Sequence, residues 1–129
     1  MPQDRPTLSL RRVLYLDAAT CLAMGGILVA GTGFLAGLTD IPAPLLFYAG
    51  LALLPLAGVI AAIGRWMAGS PAVWLVILGN AGWVLGSLAL VAGVISPNLL
   101  GVAFILSQAA AVCLLTWLEL AAFRTVGRA

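Results

Sequence analysis

The sequence contains no histidine and no lysine. That removes the commonest general base, the commonest metal ligand and the amine of Schiff-base chemistry. Charge of any kind is scarce: 8% of 129 residues, against about 25% in ordinary globular domains. Only two cysteines occur, Cys21 and Cys113, each inside an apolar run and neither in a metal-spaced cluster. Both read as small buried hydrophobes. No nucleophile–base pair and no metal-ligand set is legible, so the expectation is a protein that is not an enzyme and carries no metal or cofactor.

What is abundant is hydrocarbon. Apolar residues make up 64% of the chain. A soluble chain this short has too little volume to hide that much apolar surface, so lipid must be its solvent. Four apolar stretches are long enough to span a bilayer, at about 14–38, 45–67, 72–95 and 99–123. The breakers between them are Thr39-Asp40-Ile41-Pro42-Ala43-Pro44, Ala68-Gly69-Ser70-Pro71 and Ser96-Pro97-Asn98, each a turn and helix-start signal. Continuous runs, rather than short alternating ones, indicate helices and not a barrel. The expected fold is therefore all-α, one transmembrane domain over residues 1–129, an antiparallel four-helix bundle with short loops.

All six basic residues are arginines: Arg5, Arg11 and Arg12 before the first span, Arg65 at the second turn, Arg124 and Arg128 after the fourth. In an up-down bundle they fall on one side, which the positive-inside rule makes the cytoplasm. The expectation is a bacterial inner-membrane protein with both termini cytoplasmic. Six arginines at helix ends form no patch for nucleic acid.

Small residues recur in rows: Gly33 with Gly37, Gly58 with Ala62, Gly82 with Gly86, and Ala109 to Ala111. Such rows let helix backbones approach, either within the bundle or in a homo-oligomer. Pro55 falls inside the second span and is expected to kink it. Two carboxylates, Asp17 and Glu119, fall inside spans, and intramembrane ionisable groups mark functional sites by default. At helical spacing Gln108 faces the same way as Glu119, and Ser87 the same way as Asn80. Asp17, Asn80, Gln108 and Glu119 together read as a polar seam rising from the arginine-bearing end. Arg65 and Arg124 lie at a similar level and are the candidate ion-pair partners. Trp83, near the middle of the third span, fits no interfacial belt.

Arg11-Arg12-Val13-Leu14 with Asp17-Ala18-Ala19, Ala49-Gly50-Leu51 with Leu54-Pro55, Asn80-Ala81-Gly82-Trp83-Val84 with Ser87, and Gln108-Ala109 with Leu118-Glu119 carry a resemblance. The chain resembles an uncharacterised family of small four-helix integral membrane proteins of proteobacteria. That implies fold and location but no activity. In size and topology it is also similar to the small multidrug resistance transporters, which have four helices and an acidic residue on the first. It differs from them in that Asp17 is shallow and the expected aromatic residues are missing.

Two function classes remain. One is an accessory or structural subunit of a larger membrane complex, favoured by tiny loops and small-residue faces. The other is a small oligomeric transporter or channel using the polar seam. Its partners are the bilayer and either a second copy or a larger complex. A water-filled cavity lined by Asp17, Asn80, Gln108 or Glu119 would favour transport, and a dry, close-packed interior the accessory role.

Overall fold

The computed structural model describes residues 5–128, with side chains from 9 to 125. The expected domain, 1–129, runs past these limits at both ends, and the side chains of Arg5 and Arg128 lie outside them. Every regular element among the described residues is helical: α1 (Arg5–Ala30), α2 (Thr32–Thr39), α3 (Ala43–Trp66), α4 (Val73–Ala89) continuing into a π-helical turn (Leu90–Val94), and α5 (Leu99–Arg128). Four helices are long and apolar enough to cross a membrane, over Ser9–Ala30, Ala43–Trp66, Val73–Val94 and Leu99–Thr125, with mean hydropathy between 1.9 and 2.2. Their boundaries fall close to the four stretches read from sequence, except that the first helix starts earlier and is interrupted.

The interruption is at Gly31, whose φ of −106° and ψ of 16° divide α1 from α2. The hydrogen-bond ladder survives it: Gly31 N–H reaches Ile27 O at 2.8 Å and Leu35 N–H reaches Gly31 O at 2.9 Å. Next to it, the Thr32 hydroxyl donates back to the carbonyls of Leu28 and Val29. A back-bonding hydroxyl beside a glycine bends a helix. The sequence reading ran one helix through residues 14–38 because the apolar pattern gives no sign of this bend. α3, by contrast, continues through Pro55.

The turns at the end opposite the arginines are tied together. Asp40 closes α2 in the left-handed region (φ 56°), which Asp tolerates better than most residues. Asn98 caps α5, its Oδ1 accepting from Gly101 N–H at 2.8 Å. Its Nδ2 donates to Leu38 O at 2.7 Å and its backbone N–H to Thr39 O at 3.0 Å. A side-chain carbon at Gly101 would collide with the Thr39 carbonyl, so only glycine lets α5 start this close.

α1 packs most extensively on α3 and also on α5, and α4 packs on α5. The α1–α3 crossing is made by glycines outside the expected rows. A Cβ at Gly50 would stand 2.8 Å from Leu28 Cβ and 3.0 Å from Gly25 O. At Gly33, Gly37, Gly58, Gly79, Gly82 and Gly86 a Cβ would meet nothing within 4 Å. Those rows therefore do not pack within the chain. The core is densest toward the arginine-bearing end, where Leu10, Leu14, Ile60, Ile63 and Val73 are almost wholly buried. Beyond Ile77, α4 turns Gly82 and Gly86 toward the space between it and α3, and α3 and α4 make almost no contact although they are consecutive.

Candidate functional site

Three helices deliver one polar side chain each to a common point. Asp17 lies on the α1 face that also buries Leu14, Ala18 and Cys21. Asn80 follows the packed face of Val73, Val76 and Ile77 on α4. Glu119 continues the buried stripe of Ala109 and Leu115 on α5. Asp17 is 1% exposed, Asn80 5% and Glu119 0%. The Asn80 amide divides its two hydrogens between the carboxyl groups: Nδ2 lies 2.7 Å from Asp17 Oδ2 and 3.0 Å from Glu119 Oε1. The Cys21 thiol donates to Asp17 Oδ1 at 3.7 Å. Glu119 Oε2 is buried and, among the described residues, has no donor.

The candidate arginine partners are elsewhere. Arg65 and Arg124 are exposed, and the Arg65 guanidinium sits 5.5 Å from the Trp66 ring centroid. Arg11 Nε donates to Gly64 O at 2.9 Å. The reason is depth. Asp17 and Glu119 turn inward onto α4, while arginines at helix ends keep their charge in water and lay their stems along the apolar surface.

Gln108 belongs to a second cluster. Trp83 Nε1 donates to Gln108 Oε1 at 2.6 Å, and Gln108 Nε2 donates to Ser87 Oγ at 2.8 Å and to Ile105 O at 2.9 Å. Ser87 Oγ donates to Trp83 O at 2.8 Å. Each polar atom named there has a partner. The expected seam is thus two clusters, Asp17–Asn80–Glu119 and Trp83–Ser87–Gln108. Trp83 was passed over in the sequence because an indole among apolar residues gives no sign of its hydrogen bond. Its odd depth was the only available signal.

A cavity of about 460 Å³ occupies the half of the molecule away from the arginines. Met24 and Leu28 of α1, Leu45 and Ala49 of α3, Gly82 and Gly86 of α4, and Phe104 of α5 wall it, and Trp83, Ser87 and Gln108 supply its polar side. It lies where α3 and α4 part. A smaller cavity of about 80 Å³ is lined by Asp17, Thr20, Cys21 and Leu115. Met24, Trp83 and Gln108 border both cavities and separate them. Asn80 and Glu119 line neither. Of the seam residues, Gln108 borders both cavities and Asp17 the smaller, and the large cavity is mostly apolar.

Among the described residues no group of three or more His, Cys, Asp or Glu side chains is placed to hold a metal ion. Cys21 and Cys113 are both free, the first buried and the second exposed. Comparison with protein-family models, with curated proteins and with solved structures finds no match.

Proposed function

We propose that this chain is a multi-pass protein of a bacterial cytoplasmic membrane, an antiparallel bundle with both termini cytoplasmic, and that it works as a small transporter of apolar or amphipathic molecules drawn from the bilayer. The topology rests on the six arginines and the positive-inside rule. The activity rests on one observation, the cavity of about 460 Å³ between α3 and α4.

An apolar cavity at membrane depth is filled by hydrocarbon rather than water. A dry cavity of about 150 Å³ holds one benzene, so this one has room for roughly three such groups, the bulk of a short acyl chain or a fused-ring amphiphile. Pockets of this size lined by apolar side chains and a few polar ones are the usual form of small-molecule sites. Gly82 and Gly86 form its α4 wall, and each has open space where a side chain would go. Binding and release need no covalent chemistry, and the buried carboxyl groups stand behind the Trp83–Gln108 partition, away from any cargo.

Trp83 is the reporter for a test. With Trp66, Trp74 and Trp117 replaced by phenylalanine, brominated acyl chains in proteoliposomes should quench Trp83. Gly86→Leu should weaken that quenching by filling the pocket. Equal quenching in both proteins would remove the pocket from the mechanism.

A second reading keeps the chain as an accessory subunit. It is favoured by Gly33, Gly37, Gly58 and Gly79, where among the described residues an added Cβ would meet no other helix within 4 Å, so that a partner helix could approach closely. Gly58→Leu would then lose a stoichiometric partner in native pull-down while leaving Trp83 quenching unchanged.

A further inference from the structure

One buried atom is unexplained by the packing or by the pocket. Among the described residues Glu119 Oε2 has no donor, in a side chain with no solvent exposure. In lipid an unsatisfied polar group has no water to fall back on, so it either costs stability or has a partner of another kind.

The donors around the two carboxyl groups can be counted. Asn80 gives both amide hydrogens, one to each. The Cys21 thiol gives one to Asp17. The buried face of α3 is Leu, Ile, Ala and Gly, with no titratable group. Arg11 is bonded to Gly64 O, and Arg12, Arg65 and Arg124 are exposed. Four carboxyl oxygens thus have three donors. The Asp17 and Glu119 carboxyl groups converge on a single nitrogen, Asn80 Nδ2, at 2.7 Å and 3.0 Å. Two ionised carboxylates offer only acceptors to one another, and adjacent like charges without a cation are strongly unfavourable in a buried site. A single proton would answer both problems. It removes one charge and supplies the fourth donor.

A metal cation would fit less well. The nitrogen of Asn80, not its oxygen, faces the pair, and an N–H dipole repels a cation placed there. The site is also closed except on one side. The cavity of about 80 Å³ touches Asp17 but not Glu119. It has room for about two waters, each taking about 30 Å³ of liquid volume.

We propose that Asp17 and Glu119 hold one shared proton in a buried intramembrane site, with Asn80 orienting both carboxyl groups, and that the small cavity beside Asp17 is the route by which this proton exchanges. In uptake, a hydronium in the cavity gives its proton to a carboxylate oxygen of Asp17 and leaves as water. The O–H so formed bonds across to Glu119. Release is the reverse, and no other bond changes. The site goes beyond the transport reading and stands if the pocket proves to bind nothing.

Infrared spectroscopy of the full chain in lipid nanodiscs tests this. A protonated-carboxyl C=O band that shifts in D₂O is expected at neutral pH. Asp17→Asn and Glu119→Gln should each abolish it, since either change leaves one carboxylate with amide donors and no like charge beside it. A band surviving in both variants would mean that simple burial, and not sharing, holds the proton, and the proposal fails. Absence of the band in the unmodified protein, or its loss on adding sodium at constant pH, would also overturn it. As a measurement that needs no variant, acidification and realkalinisation of the wild-type nanodiscs should move the band reversibly. Transport assays play no part in these readouts, so the pocket can fail while the proton site stands.

Discussion

Gly50→Ala should weaken the molecule where α1 and α3 cross, and the size of the effect follows from the contact geometry. The added Cβ would lie 2.8 Å from Leu28 Cβ, 3.0 Å from Val29 Cγ2 and 3.0 Å from Gly25 O. Carbon atoms pack best at about 3.5–4.0 Å, so the helices must part by nearly 1 Å at their closest point. Overpacking of this kind costs about 1–3 kcal/mol. Alanine also removes the helix penalty of glycine, worth about 0.5–1 kcal/mol in the opposite direction. The net expectation is a loss of about 0–2.5 kcal/mol relative to the wild type, the difference between these two ranges, and of about 1–3 kcal/mol relative to a variant that gains the propensity term alone. Gly58→Ala, on the same helix, is the internal control, because a Cβ there meets nothing within 4 Å. It should gain the propensity term alone. Reversible unfolding in mixed micelles, or steric trapping in bicelles, would measure both. If Gly50→Ala proves as stable as Gly58→Ala, the close approach of α1 and α3 is not real and the packing account fails.

Asn80→Leu removes the donor shared by Asp17 Oδ2 and Glu119 Oε1 and should cost about 2–4 kcal/mol in the same unfolding assay, whereas adding Asp17→Leu and Glu119→Leu to it should recover most of the loss. Recovery in the triple variant is the sign that the cost lies in stranded carboxyl groups rather than in the shape of the site. Gly86→Leu should fold at least as well as the wild type, since its side chain enters open space, while abolishing uptake of a fluorescent amphiphile into proteoliposomes. Arg65→Ala should shift stability by less than about 1 kcal/mol, because an exposed guanidinium over Trp66 gains little from a contact that water screens. Reporter fusions at Asp40 and Asn98 should read outside, and those at Ser70 and the C-terminus inside. A cytoplasmic signal at Asn98 would invert the proposed orientation.

The four spans were legible because hydrophobic length is a one-dimensional property, and the lipid requirement for internally satisfied backbone leaves helices as the form for long unbroken apolar runs. The inward turn of Asp17 and Glu119 was also legible, because hydrocarbon penalises the alternative. Their partner was not. Proximity in charge and depth pointed to Arg65 and Arg124, but the choice between an arginine and Asn80 depends on how α4 is rotated, which sequence periodicity leaves open. The glycine rows left the contact faces undecided for a related reason. A small-residue row shows that a close approach is allowed, not which face receives one. Gly25, Gly50 and Gly64 take the contacts because Leu14, Leu28 and Leu53 lie beside them to be packed, while Gly82 and Gly86 face a gap. Trp83 could not be assigned, since its role exists only through Gln108, 25 residues away.

The gap and the buried carboxyl site follow from one feature of α4. Its first half carries Val73, Val76 and Ile77, which fill the space against the neighbouring helices and keep water from Asn80. Its second half replaces such side chains with Gly82 and Gly86, so nothing reaches across to α3, and a cavity remains. Trp83 stands at the change between the two. Trp83 borders both the large cavity and the small cavity beside Asp17, and its indole is bonded to Gln108. A larger side chain at Gly82 or Gly86 would close the pocket and leave the carboxyl site alone, whereas loss of the Gln108 bond would free the indole between them. On the proposed transport and proton-site readings, that bond is the point at which occupancy of the pocket and proton exchange at Asp17 would influence one another. Gln108→Leu should consequently accelerate deuterium exchange of the shared carboxyl proton without removing its infrared band. An unchanged exchange rate would show that the two cavities are not separated by this pair.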